Sequence, residues 1–116
     1  MKRRIVTVTS WSVIYLGYSG DYYSTTVRFP ISTILSKYGT GGTFTLLSLP
    51  PGEITAHAAE NITRVGNYIE WDVGEEELIA PGNGKVQLVY TDADGITHRK
   101  IWETKIERSL KRSTDN

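Results

Sequence analysis

The sequence contains no cysteine, which excludes disulfides, zinc–thiolate centres and thiol nucleophiles together. It also has no excess charge of either sign, because thirteen basic residues balance thirteen acidic ones. Without a net field, neither nucleic acid nor an anionic membrane is an expected partner. Long apolar runs are missing as well. The longest, Val13 to Leu16, has four residues, far short of a membrane span. Met1-Lys2-Arg3-Arg4 imitates the basic start of a signal peptide, but Thr7, Thr9 and Ser10 interrupt the apolar stretch that should follow. Synthesis in the cytoplasm without a leader is the expectation.

Histidine is scarce. His57 and His98 are the only two, and alternation places each at an exposed or half-exposed strand position. A metal site would need carboxylate help, yet Asp92 and Asp94 belong to a turn that already calls for aspartate. Asp92-Ala93-Asp94-Gly95 also lacks the remaining ligands of a calcium loop, so no metal or other cofactor is expected. No Gly-x-Ser-x-Gly elbow marks a serine nucleophile. Gly39-Thr40-Gly41-Gly42 lacks the lysine and following helix of a phosphate-binding loop. Glu75-Glu76-Glu77 fits the acidic start of a helical turn, and Glu70 with Asp72 fits the solvent face of a strand. These readings leave no catalytic residue to name, and a non-enzymatic protein is expected.

What is present is period-two alternation punctuated by Gly, Pro, Asn and Asp, the pattern of strands with one buried and one wet face. From Tyr22 to Phe29, Tyr23, Thr25, Val27 and Phe29 take one face. From Tyr68 to Val73 the inward set is Ile69, Trp71 and Val73. Further strands are expected at Ile5 to Thr9, Ser12 to Leu16, Thr43 to Leu49, Ile54 to Ala58 and Ile62 to Val65. The last two should form a meander with Tyr68 to Val73. Lys85 to Thr91 and Ile96 to Ile106 flank a tight turn at Gly95, where a two-residue and a three-residue loop both fit. Ser32 is placed to cap a short helix over Thr33 to Tyr38 that stops at Gly39. A second helical turn is expected at Glu75-Glu76-Glu77.

At 116 residues there is room for one core. Eight or nine short strands without βα alternation predict an all-β fold, an antiparallel β-sandwich of immunoglobulin-like general shape with one or two short helical turns. A small barrel is the alternative. The domain should cover 1–110, and 111–116 reads as a polar, frayed tail.

Tyr15, Tyr18, Tyr22 and Tyr23 cluster around Gly17 and Ser19-Gly20-Asp21. Such amphipathic rings either cover sheet faces or form an interaction surface for a protein or a sugar. Tyr22 to Arg28 holds no proline and one charge, Arg28, so it is expected to be an open docking edge. On that reading a proline at Thr26 should weaken association and leave the domain folded.

From Gly66 onward the residues resemble a family. Gly66-Asn67-Tyr68-Ile69-Glu70-Trp71-Asp72-Val73, Ala80-Pro81-Gly82-Asn83-Gly84-Lys85-Val86-Gln87-Leu88-Val89-Tyr90, Lys100-Ile101-Trp102-Glu103-Thr104 and Ser109-Leu110 are similar to phage tail domains of the kind found at the N-terminus of Gram-positive phage baseplate upper proteins. Phe29-Pro30-Ile31 and Tyr38 to Leu47 extend the likeness. The resemblance implies a β-sandwich that plugs into a tail or baseplate, often as an oligomer, with itself and neighbouring tail proteins as partners. It also implies assembly in the host cytoplasm followed by residence in the virion tail. The family domain commonly precedes a long receptor-binding or linker region, whereas this sequence stops soon after the last strand, which points to an accessory or adaptor role. A carbohydrate-binding module using the Tyr15 to Tyr23 cluster is the alternative. The quoted residues also read as fold residues on their own, with Trp71 and Trp102 filling the space between sheets.

Overall fold

The computed structural model describes residues 4–9, 12–20 and 25–108. Tyr22 and Tyr23, the Ser109-Leu110 part of the resemblance and the expected tail at 111–116 lie outside the described residues.

Two sheets face each other, so the fold is a sandwich and not a closed barrel. One has four strands in the order β1-β3-β7-β6 and the other five, β2-β9-β8-β4-β5. The strands are β1 (Arg4–Thr7), β2 (Ile14–Tyr18), β3 (Thr25–Pro30), β4 (Thr43–Leu49), β5 (His57–Ala58), β6 (Ile62–Val65), β7 (Tyr68–Asp72), β8 (Gly82–Thr91) and β9 (Thr97–Glu107). Helix α1 (Ser32–Tyr38) follows β3, and a 3-10 turn (Glu75–Glu77) follows β7. The sheets are mixed, because β1 pairs β3 and β2 pairs β9 in parallel while the other pairings are antiparallel. The chain crosses between sheets after β1 and again after β2. It returns β3 beside β1 in the same direction, which alternation of side chains cannot encode.

Alternation does place the core. Val27 and Phe29 on β3 and Ile69 and Trp71 on β7 point inward from one sheet, and Leu46, Val86, Leu88, Tyr90, Trp102 and Ile106 point inward from the other. Phe29 and Trp102 meet across the layers with ring centroids 5.1 Å apart. The Trp102 indole N–H donates to the Thr9 carbonyl at 3.1 Å, which satisfies a polar group that burial would otherwise leave unpaired.

Several local expectations change. β3 is flanked on both sides, by β1 and by β7, so its described part is an interior strand and not a docking edge. Thr26→Pro is therefore expected to unfold the four-stranded sheet, because an interior strand has no spare N–H position for proline. Thermal melting by circular dichroism checks this, and a cooperative wild-type transition would contradict it. The expected Ile54 to Ala58 strand shrinks to His57–Ala58 and joins β4 in the opposite sheet, leaving the meander confined to the β6–β7 hairpin. Ser32 is the first residue of α1, not its cap. Ile31 holds the cap position without a side-chain bond, and burial of Ile31 and Ile34 fixes the helix start instead. The β8–β9 connection is the three-residue loop Ala93-Asp94-Gly95. Asp92 N–H donates to the Ile96 carbonyl and Gly95 N–H to the Asp92 carbonyl, each at 2.9 Å, with Gly95 at φ +82°.

Candidate interaction surface

Tyr15 and Tyr18 lie on β2, at the edge of the five-stranded sheet. Three residues apart on a regular strand, they would face opposite sides. A register shift between Tyr15 and Gly17 alters this, pairing Tyr15 with Lys105 and Tyr18 with Glu107. Those two β9 positions are two apart and point away from the core, whose members here include Thr104 and Ile106. The bulge thus brings both tyrosines to the outer face, 47% and 52% exposed. The Arg4 guanidinium donates to the Tyr15 carbonyl at 2.8 Å, covering part of the free β2 edge.

Arg28 is not part of this surface. It projects from the outer face of the other sheet, between inward-pointing Val27 and Phe29. Its guanidinium lies 3.9 Å from the centre of the Tyr68 ring, and its Nε lies 3.0 Å from a Glu70 carboxylate oxygen, an ion pair off the hydrogen-bond line. The structure brings together Tyr15 and Tyr18, separates Arg28 from them, and leaves Tyr22 and Tyr23 outside the described residues.

One polar cluster escapes sequence reasoning. Glu75 and Glu76 are exposed, as a solvated helix start requires, but Glu77 is only 2% exposed. One of its carboxylate oxygens accepts a hydrogen bond from the Ser48 hydroxyl on β4, and the other lies 2.6 Å from His57 Nε2 on β5. A 3-10 turn repeats every three residues, so Gly74 and Glu77 share the buried side. That three-residue spacing is the signal that marks Glu77. The order of the groups is wrong for a serine hydrolase, in which the base sits on the serine and the acid behind the base. Here the acid stands between serine and histidine. Its role is to pin the two-residue strand β5 and its loop to β4.

The second histidine closes the far end. His98 stacks on Tyr38 of α1 with ring centroids 3.5 Å apart, and its Nε2 lies 2.9 Å from an Asp92 carboxylate oxygen. The other Asp92 oxygen accepts from the Asp94 and Ile96 N–H groups. The His98 bond, followed by the Ile96 amide, holds the Asp92 carboxyl below its ordinary value. A depressed carboxyl contributes stability above the unfolded-chain value and loses it as pH falls through the folded one. The melting-temperature gap between wild type and Asp92→Asn is therefore expected to narrow from neutral pH to about pH 3. A gap that widens on acidification would contradict this sign. Among the described residues no group of three or more His, Asp or Glu side chains is placed to hold a metal ion.

Against solved structures, the chain superposes on the N-terminal domain of phage TP901-1 ORF48 with a TM-score of 0.55 and 10% identity, covering 92% of this chain and 99% of that one. The chain shares the fold of that phage domain. No family model and no curated protein sequence matches the chain. At this identity the likeness lies in the fold, and the quoted residues that can be located serve that fold directly. Trp71 and Trp102 are core, and a side chain at Gly84 would come within 2.4 Å of the Leu49 carbonyl.

Proposed function

We propose that this chain is a non-enzymatic structural component of a phage or prophage tail, of the baseplate type, acting through protein–protein contacts. The observation that carries the proposal is the superposition of nearly the whole chain on nearly the whole of a phage protein's N-terminal domain. The exposed pair Tyr15 and Tyr18, on the outer face of an edge strand, supplies aromatic contact area where a neighbouring tail protein can reach it. No helix among the described residues is long and apolar enough to cross a membrane, and the proposed location is the virion tail after assembly in the host cytoplasm.

The reading is tested by mixing the purified chain with the products of the neighbouring tail genes and measuring complex formation by light scattering. A defined complex that Tyr15→Ala/Tyr18→Ala weakens while thermal stability is kept supports it. Absence of any complex, together with glycan binding that the same variant abolishes, would replace it with the carbohydrate-binding alternative.

A further inference from the structure

The two ends of the sandwich differ in shape and in charge. At one end α1 lies against the β8–β9 hairpin, and between them is a cavity of about 170 Å³ lined by Ile34, Tyr38, Leu88, His98, Arg99 and Lys100. Its floor is apolar, because Ile34 and Leu88 are core residues. Its rim is cationic. Lys100, paired with Leu88 and so on the same face of the sheet, is exposed there, and Lys37 Nζ lies 5.5 Å from the Tyr38 ring. Of the hairpin acids, Asp92 is engaged by His98, and Asp94 stands in the turn beyond it.

The opposite end presents the complementary shape. Pro50 to Glu53 form a turn closed by the Glu53 N–H on the Pro50 carbonyl at 3.1 Å, with Gly52 at φ +83°. Proline followed by a glycine of positive φ is what a type II turn requires, so the turn is stiff. It delivers Glu53 and then Ile54, which is 98% exposed. Single exposed apolar residues are ordinary on a surface, but this one stands clear of the domain on a rigid support beside a carboxylate. Pro51 packs next to Gly82 at the start of β8, whereas the cavity borders Leu88. Six residues of strand separate these positions by about 20 Å, so the turn does not fill its own cavity.

We propose that this chain associates end to end with a second copy of itself, with Ile54 of one copy seated in the Ile34, Tyr38 and Leu88 cavity of the next and Glu53 facing Lys100. A cavity of about 150 Å³ accommodates a benzene-sized group, so a 170 Å³ cavity suits one isoleucine side chain. The stiff turn limits the entropy lost on docking, and the opposite charges fix the orientation. Because the two contacting surfaces are different, the association is heterologous and continues from copy to copy. The proposal rests on the tail-protein reading only in supplying that reading with a self-partner, and it is tested with the pure chain.

The test is light scattering coupled to size exclusion over a concentration series, with circular dichroism to confirm folding. Wild type is expected to grow in mass with concentration and to shrink at high salt. Ile54→Ser, on an exposed loop, and Lys100→Glu, on the rim, should each raise the concentration needed for association at least about tenfold. An equimolar mixture of the two should form a dimer and nothing larger, since one variant keeps the socket and the other keeps the knob. Glu53→Lys combined with Lys100→Glu should restore growth. A wild type that stays monomeric at millimolar concentration would overturn the proposal, as would a mixture that stays monomeric or an Ile54→Ser variant that associates normally. Such a failure leaves binding to neighbouring tail proteins to be judged by its own measurement.

Discussion

Trp71→Ala is expected to lose about 3–5 kcal/mol, the usual cost of truncating a large aromatic in a packed core. Trp71 is 1% exposed at the centre of the four-stranded sheet, where β7 pairs Trp71 with Val27 on one side and Ile62 on the other. Removing it empties the interlayer space on both flanks at once, and neighbouring strands held by their own ladders have little freedom to collapse into the gap. Domains of this size carry only about 5–15 kcal/mol in total, so the variant should sit close to unfolding at ambient temperature. Urea denaturation is the measurement, with the midpoint falling well below that of wild type. An unchanged midpoint at an unchanged slope would show that Trp71 does not support the core.

Glu77→Ala is expected to cost about 3 kcal/mol, because the Ser48 hydroxyl and the His57 ring each lose a partner worth about 1.5 kcal/mol. The loss should also be local in character. β5 contributes only two residues to the ladder, pairing Ala58 with Leu47 and His57 with Ser48, and the Ala59 N–H donates to the Leu46 carbonyl at 2.8 Å. Without Glu77, Ser48 keeps a buried hydroxyl with no acceptor at that position, and His57 is held by backbone pairing alone. Hydrogen exchange should show the Ala59 amide released ahead of the amides of β8. Stability and exchange both unchanged from wild type would remove Glu77 from its proposed role. His57→Ala offers a milder version of the same comparison, because His57 is half-buried and its removal opens Glu77 to water.

The parts of this fold that were legible in the sequence are those whose information is local. β4 runs from Thr43 to Leu49 as expected because Gly41-Gly42 and Pro50-Pro51 punctuate it at both ends. β7 presents Ile69 and Trp71 inward because its alternation is unbroken. Strand direction and order were not legible. Nothing in Tyr22 to Arg28 distinguishes an edge from an interior strand, since that depends on where β1 lies after the chain has crossed between sheets twice. The tyrosine pair was visible as composition, but its placement on one face depends on the bulge at Gly17, which stands at φ +128°. Glu77 was hidden by its neighbours, because three consecutive glutamates look alike until the 3-10 geometry turns one of them toward Ser48 and His57. The β-branched neighbourhood of Ile54 predicts a strand, yet the turn at Pro50 to Glu53 carries it out into solvent.

The most direct test of the proposed tail-component role is mass spectrometry of phage particles purified from cells that express the chain from its own genome, with tails separated from heads. The chain is expected in the tail fraction, in multiple copies and in fixed ratio to the other tail proteins. Recovery only in the soluble lysate, with intact particles that lack it, would contradict the account.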